Sequence, residues 1–533
     1  MMQATQTQAT DKLTAAAKAS AFANGRLSIV VVGGGSAGWL TAALLAADHQ
    51  ADPRVSVTLI ESASVPTIGV GEGTWPSMRA TLARIGISET EFVLSCDASF
   101  KQGSVFRQWR SNTPADCYYH PFTAPVATNE LDIADYWFAY QQQVEFAAAV
   151  SSQPAVIAAG LAPKRIATPE YAFIQNYGYH LDAGKFIALL THHAKRLGVQ
   201  QIIDDVVAIQ SHPDGRIAAL QTTQHGALPG DLFVDCSGLQ SLLIGRHYQT
   251  PLLSVQQHLL NDSALAVQVP YDDEQAPIAS ATLATAQAQG WVWDIGLPTR
   301  RGVGFVHHSG HTDAAQALST LAQYLQLSEQ EFSARYQPRT IRFTPGYRQQ
   351  FWRHNCVAVG MAAGFIEPLE ASALVMVELS AKFISEQLPR SLAQLDIVGA
   401  RFNQTFRYRW QQIVEFLKLH YVLSMRSDSD YWLAQRAETS IPASLQEKLA
   451  MWQHFVPSRY DLPMAEELFP AASYQYILYG MRHFPASERP TKASFRANQA
   501  FAEVQQKTQQ LMAGLVSNRE LLQQIKAHGL QKI

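Results

Sequence analysis

Cysteine is scarce in this sequence, and the four that are present lie far apart. Cys96, Cys117, Cys236 and Cys356 form no CxxC pair. Structural zinc sites and disulfide frameworks both depend on cysteines at close and regular spacing, so neither is predicted. Unpaired thiols persist in a reducing compartment, and this scarcity therefore favours a cytoplasmic location.

Charge is also sparse, and neither sign dominates. Charged residues make up 16% of the chain, with 41 Lys and Arg against 44 Asp and Glu and a formal net charge of -3. No block of Lys and Arg stands out, so we expect neither a nucleic-acid partner nor binding to an anionic membrane surface. No apolar run is long enough to cross a bilayer, and no membrane span is predicted.

The size of the chain indicates several lobes. With 533 residues, 47% of them hydrophobic, it is expected to bury a large interior divided among two or three units. The segment 1–26 is rich in Gln, Ala and Thr and lacks the continuous apolar core of a signal peptide. We expect this segment to be a disordered tail.

A nucleotide-binding motif begins directly after that tail. The stretch "LSIVVVGGGSAGWLTAALLAADH" predicts a buried strand, a glycine-rich turn and a helix, and "VSVTLIES" predicts a second strand. Gly33, Gly35 and Gly38 form GxGxxG, and Glu61 ends the second strand. Small residues let a pyrophosphate approach the helix N-terminus, and the acid accepts hydrogen bonds from a ribose. Strand, turn, helix, strand and acid in this order predict a dinucleotide site.

The middle of the chain favours FAD as the dinucleotide. After a helical stretch, "QIIDDVVAIQSHPDGRIAALQTT" predicts a hairpin that turns at 213–215. "GDLFVDCSG" then predicts a late apolar strand with Asp235 and Gly238 at its end. A nucleotide fold interrupted by a hairpin and completed by a late strand is the usual layout of flavin monooxygenases, whereas NAD dehydrogenases more often continue through regular βαβ units.

Two tryptophans stand two positions apart in "GWVWDIGLP", 290–298. Side chains alternate along a strand, so Trp291, Trp293 and Ile295 are predicted to share one face. Taken alone, this pattern indicates a strand that packs bulky residues into a core.

Two glutamates lie three positions apart in "GFIEPLEASALVMVEL". Pro368 suits the first turn of a helix, so Glu367 and Glu370 are expected near a helix N-terminus. Two interpretations stay open on the sequence alone. The acids either complement the helix dipole or perform chemistry in apolar surroundings.

Three histidines in "FVHHSGH" carry no metal prediction. His307, His308 and His311 have no acidic partner at helical spacing, and the segment is typical of a strand that runs into a loop. We expect structural or exposed histidines there and predict no metal site.

Five motifs in order carry a resemblance to a known family. "GGGSAGW", "PTIGVGEGTWPSM", "NDSALAVQVP", "GWVWDIG" and "FIEPLEASA" make the sequence, from about 27 to 416, resemble the flavin-dependent tryptophan halogenases. The resemblance implies a glutathione-reductase-like FAD-binding fold. It further implies that FADH2 from a separate NAD(P)H-dependent flavin reductase, together with O2, converts chloride or bromide to hypohalous acid that halogenates an aromatic ring.

The resemblance also implies the residues of the reaction. Lys101, in "DASFKQGSVFRQW", would hold the hypohalous acid or form a haloamine, although on the sequence alone it would be an exposed lysine on a helix. Glu370 would stabilise or deprotonate the cationic ring. Ser372 and Ala373 would bind halide through backbone N–H groups, where the family has an STG sequence. The methyl group of Ala373 puts the choice of halide in question.

Further residues follow from the same alignment. His120 and Phe122 would sandwich an indole, and Phe469 stands where the family has a stacking tryptophan. Trp291, Trp293 and Ile295 match the family's WxWxIP motif, which is thought to discourage oxygenation of the substrate, but Gly296 replaces its proline. The cofactor would contact a set of small and acidic residues: Gly33, Gly35, Ser36, Ala37, Gly38, Glu61, Gly71, Glu72, Asp235 and Gly360.

The sequence thus predicts an α/β protein with a Rossmann-type FAD-binding lobe. The lobe would span 27–439 and carry an inserted β-sheet on the substrate side, followed by a mostly helical lobe over 440–533. The function predicted is halogenation of an indole or another electron-rich arene, and not of free tryptophan, because the tyrosine and glutamate that grip the amino acid in the family have no clear counterparts. The alternatives are a flavin-dependent hydroxylase of an aromatic substrate and a non-catalytic flavoprotein. A homodimer is compatible with all three.

Overall fold

The structure is a computed structural model that describes residues 26–65, 71–128, 131–485 and 494–532. The tail expected over 1–26 therefore lies outside the described residues except for the exposed Arg26. Its predicted disorder stays a prediction.

The strands are numbered in chain order. They are β1 Leu27–Val32, β2 Val55–Glu61, β3 Glu72–Gly73, β4 Ser99–Lys101, β5 Gly103–Arg107, β6 Cys117–Pro121, β7 Gly178–Leu181, β8 Gln200–Ile203, β9 Val206–Ser211, β10 Ile217–Thr222, β11 Ala227–Pro229, β12 Leu232–Asp235, β13 Leu252–Ser254, β14 Ser263–Pro270, β15 Thr282–Gln287, β16 Gly290–Gly296, β17 Arg300–His307, β18 Arg339–Arg342, β19 Gly346–Arg348, β20 Trp352–Arg353, β21 Cys356–Ala358 and β22 Gly364–Phe365.

The α-helices are numbered in the same way. They are α1 Ser36–Asp48, α2 Ser77–Ile85, α3 Glu89–Ser95, α4 Ile133–Trp137, α5 Phe146–Val150, α6 Gln153–Ala158, α7 Ala183–Arg196, α8 Ala314–Tyr324, α9 Glu329–Arg335, α10 Ser372–Glu386, α11 Leu392–Val422, α12 Asp430–Arg436, α13 Ala443–Trp452, α14 Ala471–Gly480, α15 Phe495–Gly514 and α16 Asn518–His528.

The nucleotide-binding half is built on a six-stranded sheet in the order β20-β21-β12-β1-β2-β8. β1 pairs in parallel with β2 on one side and with β12 on the other. The predicted hairpin is present as β9 and β10, and the late strand β12 returns to the centre of the sheet beside β1. The α/β, flavoprotein-like arrangement predicted from the sequence is confirmed.

The inserted sheet is also confirmed. It has seven strands in the order β18-β14-β17-β16-β15-β5-β6, and the WVWDIG segment forms its central strand β16. Lys101 ends the neighbouring strand β4, which pairs with β7 in a small three-stranded sheet. The interpretation of Lys101 as an exposed lysine on a helix is therefore wrong, because the segment takes part in a sheet whose partner strand lies far along the chain.

The C-terminal region is helical, as predicted. α14 packs on β6, and α15 packs on α5 and α6. At the start of α16, the buried side chain of Asn518 donates a hydrogen bond of 3.1 Å to the backbone carbonyl of Phe100, next to Lys101. The lobe boundary at 439/440 stays a prediction. Each helix in the described ranges is either too short or too polar to span a membrane.

A buried ion pair supports the small sheet that carries Lys101. Lys164 lies 2.8 Å from Glu89, and both side chains are fully buried. The hydroxyls of Tyr177 and Tyr179 donate to the same carboxylate at 2.6 and 2.7 Å. The rings of both tyrosines pack on Phe100. The carboxylate therefore has its hydrogen-bonding capacity filled, as burial of a charge requires.

Lys164→Met should lower the free energy of unfolding by about 3–5 kcal/mol, since it leaves the Glu89 charge buried without its counter-ion. Denaturant unfolding followed by tryptophan fluorescence measures the change. Lys185→Met is the control, because Lys185 is half exposed and lies 3.8 Å from Asp97. Equal stability of the two variants would contradict the structural role of the buried pair.

Candidate active site

The glycine-rich turn lies between β1 and α1, at the carboxyl edge of the parallel sheet. Gly33 has φ +115°, and a Cβ there would collide with the carbonyl oxygen of Cys236, so only glycine fits. A Cβ at Gly35 would meet nothing within 4 Å. α1 begins at Ser36 with no capping side chain and no acid in its first turn. Free N–H groups beside open space fit the pyrophosphate of FAD.

The other predicted cofactor residues surround this turn. Glu61 lies against Gly34 and accepts a hydrogen bond of 2.7 Å from Gln201. A Cβ at Gly360 would lie 2.7 Å from the Cβ of Ala37, so Gly360 is close to the first turn of α1. Gly38 lies behind the turn, where a Cβ would collide with the Gly33 carbonyl. These positions fit a bound dinucleotide.

Asp235 differs from the rest of the predicted cofactor set. Its carboxylate is fully buried and accepts hydrogen bonds from the backbone of Ser237, Leu243 and Ile244 at 3.1, 2.8 and 2.8 Å. Both oxygens are thus used within the protein, where they stabilise the chain that follows β12. A cofactor contact through the Asp235 side chain stays a prediction.

The motif strand faces the second glycine loop. A Cβ at Gly71 would lie 2.7 Å from the Cδ1 of Ile295, and Trp293 covers Gly304 on the adjacent strand. Trp291 is fully buried. Trp293 and Ile295, on the shared face that was predicted, therefore pack against the backbone of neighbouring glycines. Glu72 directly follows Gly71 and lies on β3.

Lys101 is buried at the end of β4, with 1% of its surface exposed. Burial lowers the pKa of its ammonium to about 8, against the raising effect of the nearby Glu370 carboxylate. Its Nζ lies 5.4 Å from the ring centroid of Phe122. A Cβ at Gly73 would lie 3.1 Å from Nζ and 3.3 Å from the Cβ of Ala371. Gly73 therefore leaves room for the amine beside the residue that follows Glu370.

Glu370 is buried between two imidazoles. The Nδ1 of His120 lies 2.9 Å from Oε1, the Nε2 of His420 lies 3.2 Å from the same oxygen, and the Ser104 hydroxyl lies 3.4 Å from Oε2. Burial alone raises the pKa of Glu370, but the imidazoles outweigh burial and hold the pKa below its usual range. The carboxyl is therefore ionised and ready to accept a proton.

Two residues that hold Glu370 were missed by the sequence analysis. His420 lies on the long helix α11, and the indole of Trp75 donates a hydrogen bond of 2.9 Å to the Glu370 carbonyl. No motif or spacing in the sequence marks His420. Trp75 follows the glycine loop directly, and this proximity was the one available signal.

The helix after Glu370 begins later than predicted. Ala371 has φ 53° and ψ 42°, a left-handed conformation, and α10 begins at Ser372. Pro368 and both glutamates therefore precede the helix, and the prediction that Pro368 occupies its first turn is wrong. Ser372 and Ala373 form the first turn of this 15-residue helix, which has no capping side chain. Free N–H groups at such an end bind an anion.

The three aromatic rings predicted to contact the substrate, those of His120, Phe122 and Phe469, differ from one another in burial and in contacts. His120 bonds to Glu370 on one side and to the Ser473 hydroxyl at 2.9 Å on the other. Phe469 is fully buried and stacks on Phe416, with ring centroids 3.8 Å apart. Phe122 is half-buried beside Lys101. Contact of these three rings with a substrate stays a prediction.

Metal ligation has no candidate in the part of the chain that the structure describes. No three His, Cys, Asp or Glu residues there are placed to hold a metal ion. His307 ends β17, and the ring of His308 lies 5.2 Å from that of His311. All four cysteines are unpaired.

The site combines a buried lysine, an ionised glutamate and a loop that fits FAD. The sequence that builds it matches one family over most of its length. The sequence model described as "Tryptophan halogenase" matches residues 28–497. The chain belongs to the tryptophan halogenase family. It is accordingly an enzyme with the FAD-binding fold of flavin-dependent halogenases.

Individual relatives agree with this assignment. The halogenase is 49% identical to a tryptophan halogenase of Shewanella frigidimarina NCIMB 400, whose crystal structure it matches with a TM-score of 0.92 over 95% of this chain and 99% of that one. It is 31% identical to tryptophan 6-halogenase ThaL of Streptomyces albogriseolus, covering 94% and 98% of the two chains. It is 30% identical to tryptophan 7-halogenase RebH of Lentzea aerocolonigenes, covering 93% and 98%.

Gly35→Ala should weaken FAD binding to this halogenase by at least about tenfold, because the new methyl group enters the space left for the pyrophosphate. Quenching of flavin fluorescence on titration measures the dissociation constant. The variant should fold normally, since φ −76° and ψ −177° at Gly35 suit alanine. Unchanged FAD affinity would place the pyrophosphate elsewhere.

His120→Phe keeps a ring and removes the hydrogen bond to Glu370. Burial is then no longer offset by this imidazole, so the pKa of Glu370 should rise. Below the new pKa the enzyme should lose activity, so the acid limb of its profile should lie at higher pH than that of wild type, in which Glu370 is still ionised. A pH profile of kcat checks this. Ser473→Ala, which keeps the Glu370 bond, should shift the profile less. A raised arene KM with an unchanged profile would instead indicate substrate stacking.

Proposed function

We propose that this enzyme uses FADH2, O2 and chloride or bromide to make hypohalous acid, and that it halogenates an indole or another electron-rich arene rather than free tryptophan. The observation that carries the proposal is the placement of Lys101 and Glu370, two buried groups of opposite charge, next to one turn. A separate NAD(P)H-dependent flavin reductase would supply FADH2 in the cytoplasm. A homodimer stays a prediction.

FAD would supply the redox chemistry, and the residues of the cofactor site would bind the cofactor and the halide. When bound and reduced, FAD supplies the activation of O2 and the oxidation of halide. The N-terminus of α1 would hold the pyrophosphate, and the first turn of α10, with Ser372 and Ala373, would hold the halide. Ile295 would exclude water by filling the space beside Gly71.

In the aromatic substitution, Lys101 would act on the halogen donor and Glu370 on the ring that is halogenated. With a pKa of about 8, the Lys101 amine is partly neutral near neutral pH, so it can donate a hydrogen bond to hypohalous acid. Its nitrogen can also attack the halogen to form a haloamine, while the oxygen–halogen bond breaks and the oxygen leaves as water. The ionised Glu370 carboxylate would stabilise the cationic ring and remove its proton. His120 and His420 keep that carboxylate ionised despite its burial.

The C-terminal segment supports a substrate without an amino-acid end. Glu467 accepts hydrogen bonds from Tyr408 and Gln412 at 2.9 and 2.8 Å, and Tyr476 donates to the Thr123 carbonyl at 2.8 Å. Glu466 is exposed. Glu466 and Glu467, either of which could bind an ammonium group, are thus engaged elsewhere or face solvent.

The halogenation assay uses purified enzyme with a flavin reductase, FAD, NADH, indole and either bromide or chloride, followed by mass spectrometry. A halide-dependent mass gain is expected. Lys101→Ala and Glu370→Gln should each lower halogenated product by at least about 100-fold, because each removes a group that acts in the transition state. FAD affinity should be unchanged.

Two outcomes would contradict the proposal. A gain of one oxygen that is independent of halide would establish the hydroxylase, for which Gly296, in place of the family's proline, is the relevant departure. Turnover of free tryptophan at a rate comparable to that of indole would contradict the proposed substrate class but would leave the halogenase chemistry intact.

A further inference from the structure

The two tryptophans of β16 differ in what their indole nitrogens contact. Trp291 is fully buried, and its Nε1 donates a hydrogen bond of 2.7 Å to Oε2 of Glu367. Trp293 is half-buried and covers Gly304. Its indole makes no hydrogen bond within the described ranges. Bulk is common to both side chains, but the polar contact belongs to Trp291 alone.

Glu367 receives three donors at a single oxygen. Besides Trp291, the hydroxyl of Tyr421 donates to Oε2 at 2.7 Å and the amide of Asn261 donates at 2.8 Å. All four side chains are at most 1% exposed. Its other oxygen, Oε1, is buried and has no hydrogen-bond partner among the described residues. The three donors therefore determine where this side chain lies.

The contacts of Glu367 parallel those of Glu370. Each glutamate is contacted both from the inserted sheet and from α11. His120 and His420 contact Glu370, while Trp291 and Tyr421 contact Glu367. His420 and Tyr421 are consecutive on the helix. Both ends of the short turn 367–370 are thus fixed to the same two elements.

Apolar packing of Leu369 in the core and two backbone hydrogen bonds also hold this turn. Within it, the Ala371 amide donates to the Pro368 carbonyl at 3.1 Å, and Trp75 holds the Glu370 carbonyl. Ala371 is in the left-handed region, which is strained for an alanine and persists only where the surroundings impose it. The bonds to Glu367 supply such a constraint.

We propose that Trp291 is a positioning residue: through its hydrogen bond to Glu367 it fixes the turn that carries Glu370 and the halide-binding start of α10. The inference rests on the proposed function for its catalytic consequences. This role depends on the indole N–H group of Trp291 and is distinct from filling space in the core.

Trp291→Phe tests this by removing the donor while keeping an aromatic ring. The halide KM should rise by about tenfold, the equilibrium effect expected when one hydrogen bond to a carboxylate is lost. The ratio of halogenated product to NADH consumed should fall as well. FAD affinity should stay as in wild type, because the glycine turn at α1 is untouched.

Trp432→Phe is the matched control. Trp432 is as buried as Trp291, and the rings of both lie near Trp109, with centroids 5.7 Å (Trp432) and 6.2 Å (Trp291) from it. The Nε1 of Trp432, however, donates to the backbone carbonyl of Gln287 at 2.9 Å. The control loses an indole N–H hydrogen bond to a backbone carbonyl and leaves all three donors of Glu367 in place. Its halide KM and coupling ratio should equal those of wild type.

Tyr421→Phe removes a second donor from the same oxygen and keeps the test open if Trp291→Phe folds poorly. It should raise the halide KM in the same direction. The double variant should show less than the product of the two single effects, since both act through one carboxyl group.

Hydrogen exchange of the intact FAD-loaded enzyme separates this inference from the proposed function. Amides in 366–374 should exchange faster in Trp291→Phe than in wild type and Trp432→Phe, whether or not the wild type halogenates indole. Equal exchange in all three proteins would overturn the inference. So would a Trp291→Phe enzyme whose halide KM and coupling match those of Trp432→Phe.

Discussion

A carboxylate removed from water has to be compensated by donors, and the site of this enzyme is arranged around that requirement at Glu370. The imidazoles beside it, those of His120 and His420, come from the inserted sheet and from α11, so the sheet and the helix have to meet at this point. For Lys101, burial favours loss of the charge. Burial shifts its ammonium towards the neutral amine, and the nearby carboxylate limits that shift. One charge is kept and the other is weakened, as acid and base roles in one pocket demand.

Local features of the fold could be predicted from the sequence because they depend on neighbouring residues. The run from β1 through the glycine turn to α1, the hairpin β9–β10 and the shared face of Trp291 and Ile295 all follow from periodicity and turn chemistry. The placement of Lys101 does not, because its strand exists only through pairing with β7. The start of α10 was missed because nothing in the sequence marks the left-handed Ala371.

The candidate site required the resemblance to a family in addition to patterns. Lys101 and Glu370 have no local signature that separates them from ordinary surface lysines and helix-terminal acids. The resemblance selected both, and the structure places both in the interior beside one turn. His420 and Tyr421 escaped either approach, since their roles arise where a helix crosses distant chain. Contacts made in space leave no trace in linear spacing.

The hydrogen bond from Asn518 to the Phe100 carbonyl joins positions that are 418 residues apart. During synthesis, the strand that bears Lys101 leaves the ribosome long before the helix that secures it. The lysine, the glutamate and this fastening can coexist only after almost the whole polypeptide has emerged. A nascent or truncated chain would therefore lack this fastening on the strand that carries Lys101.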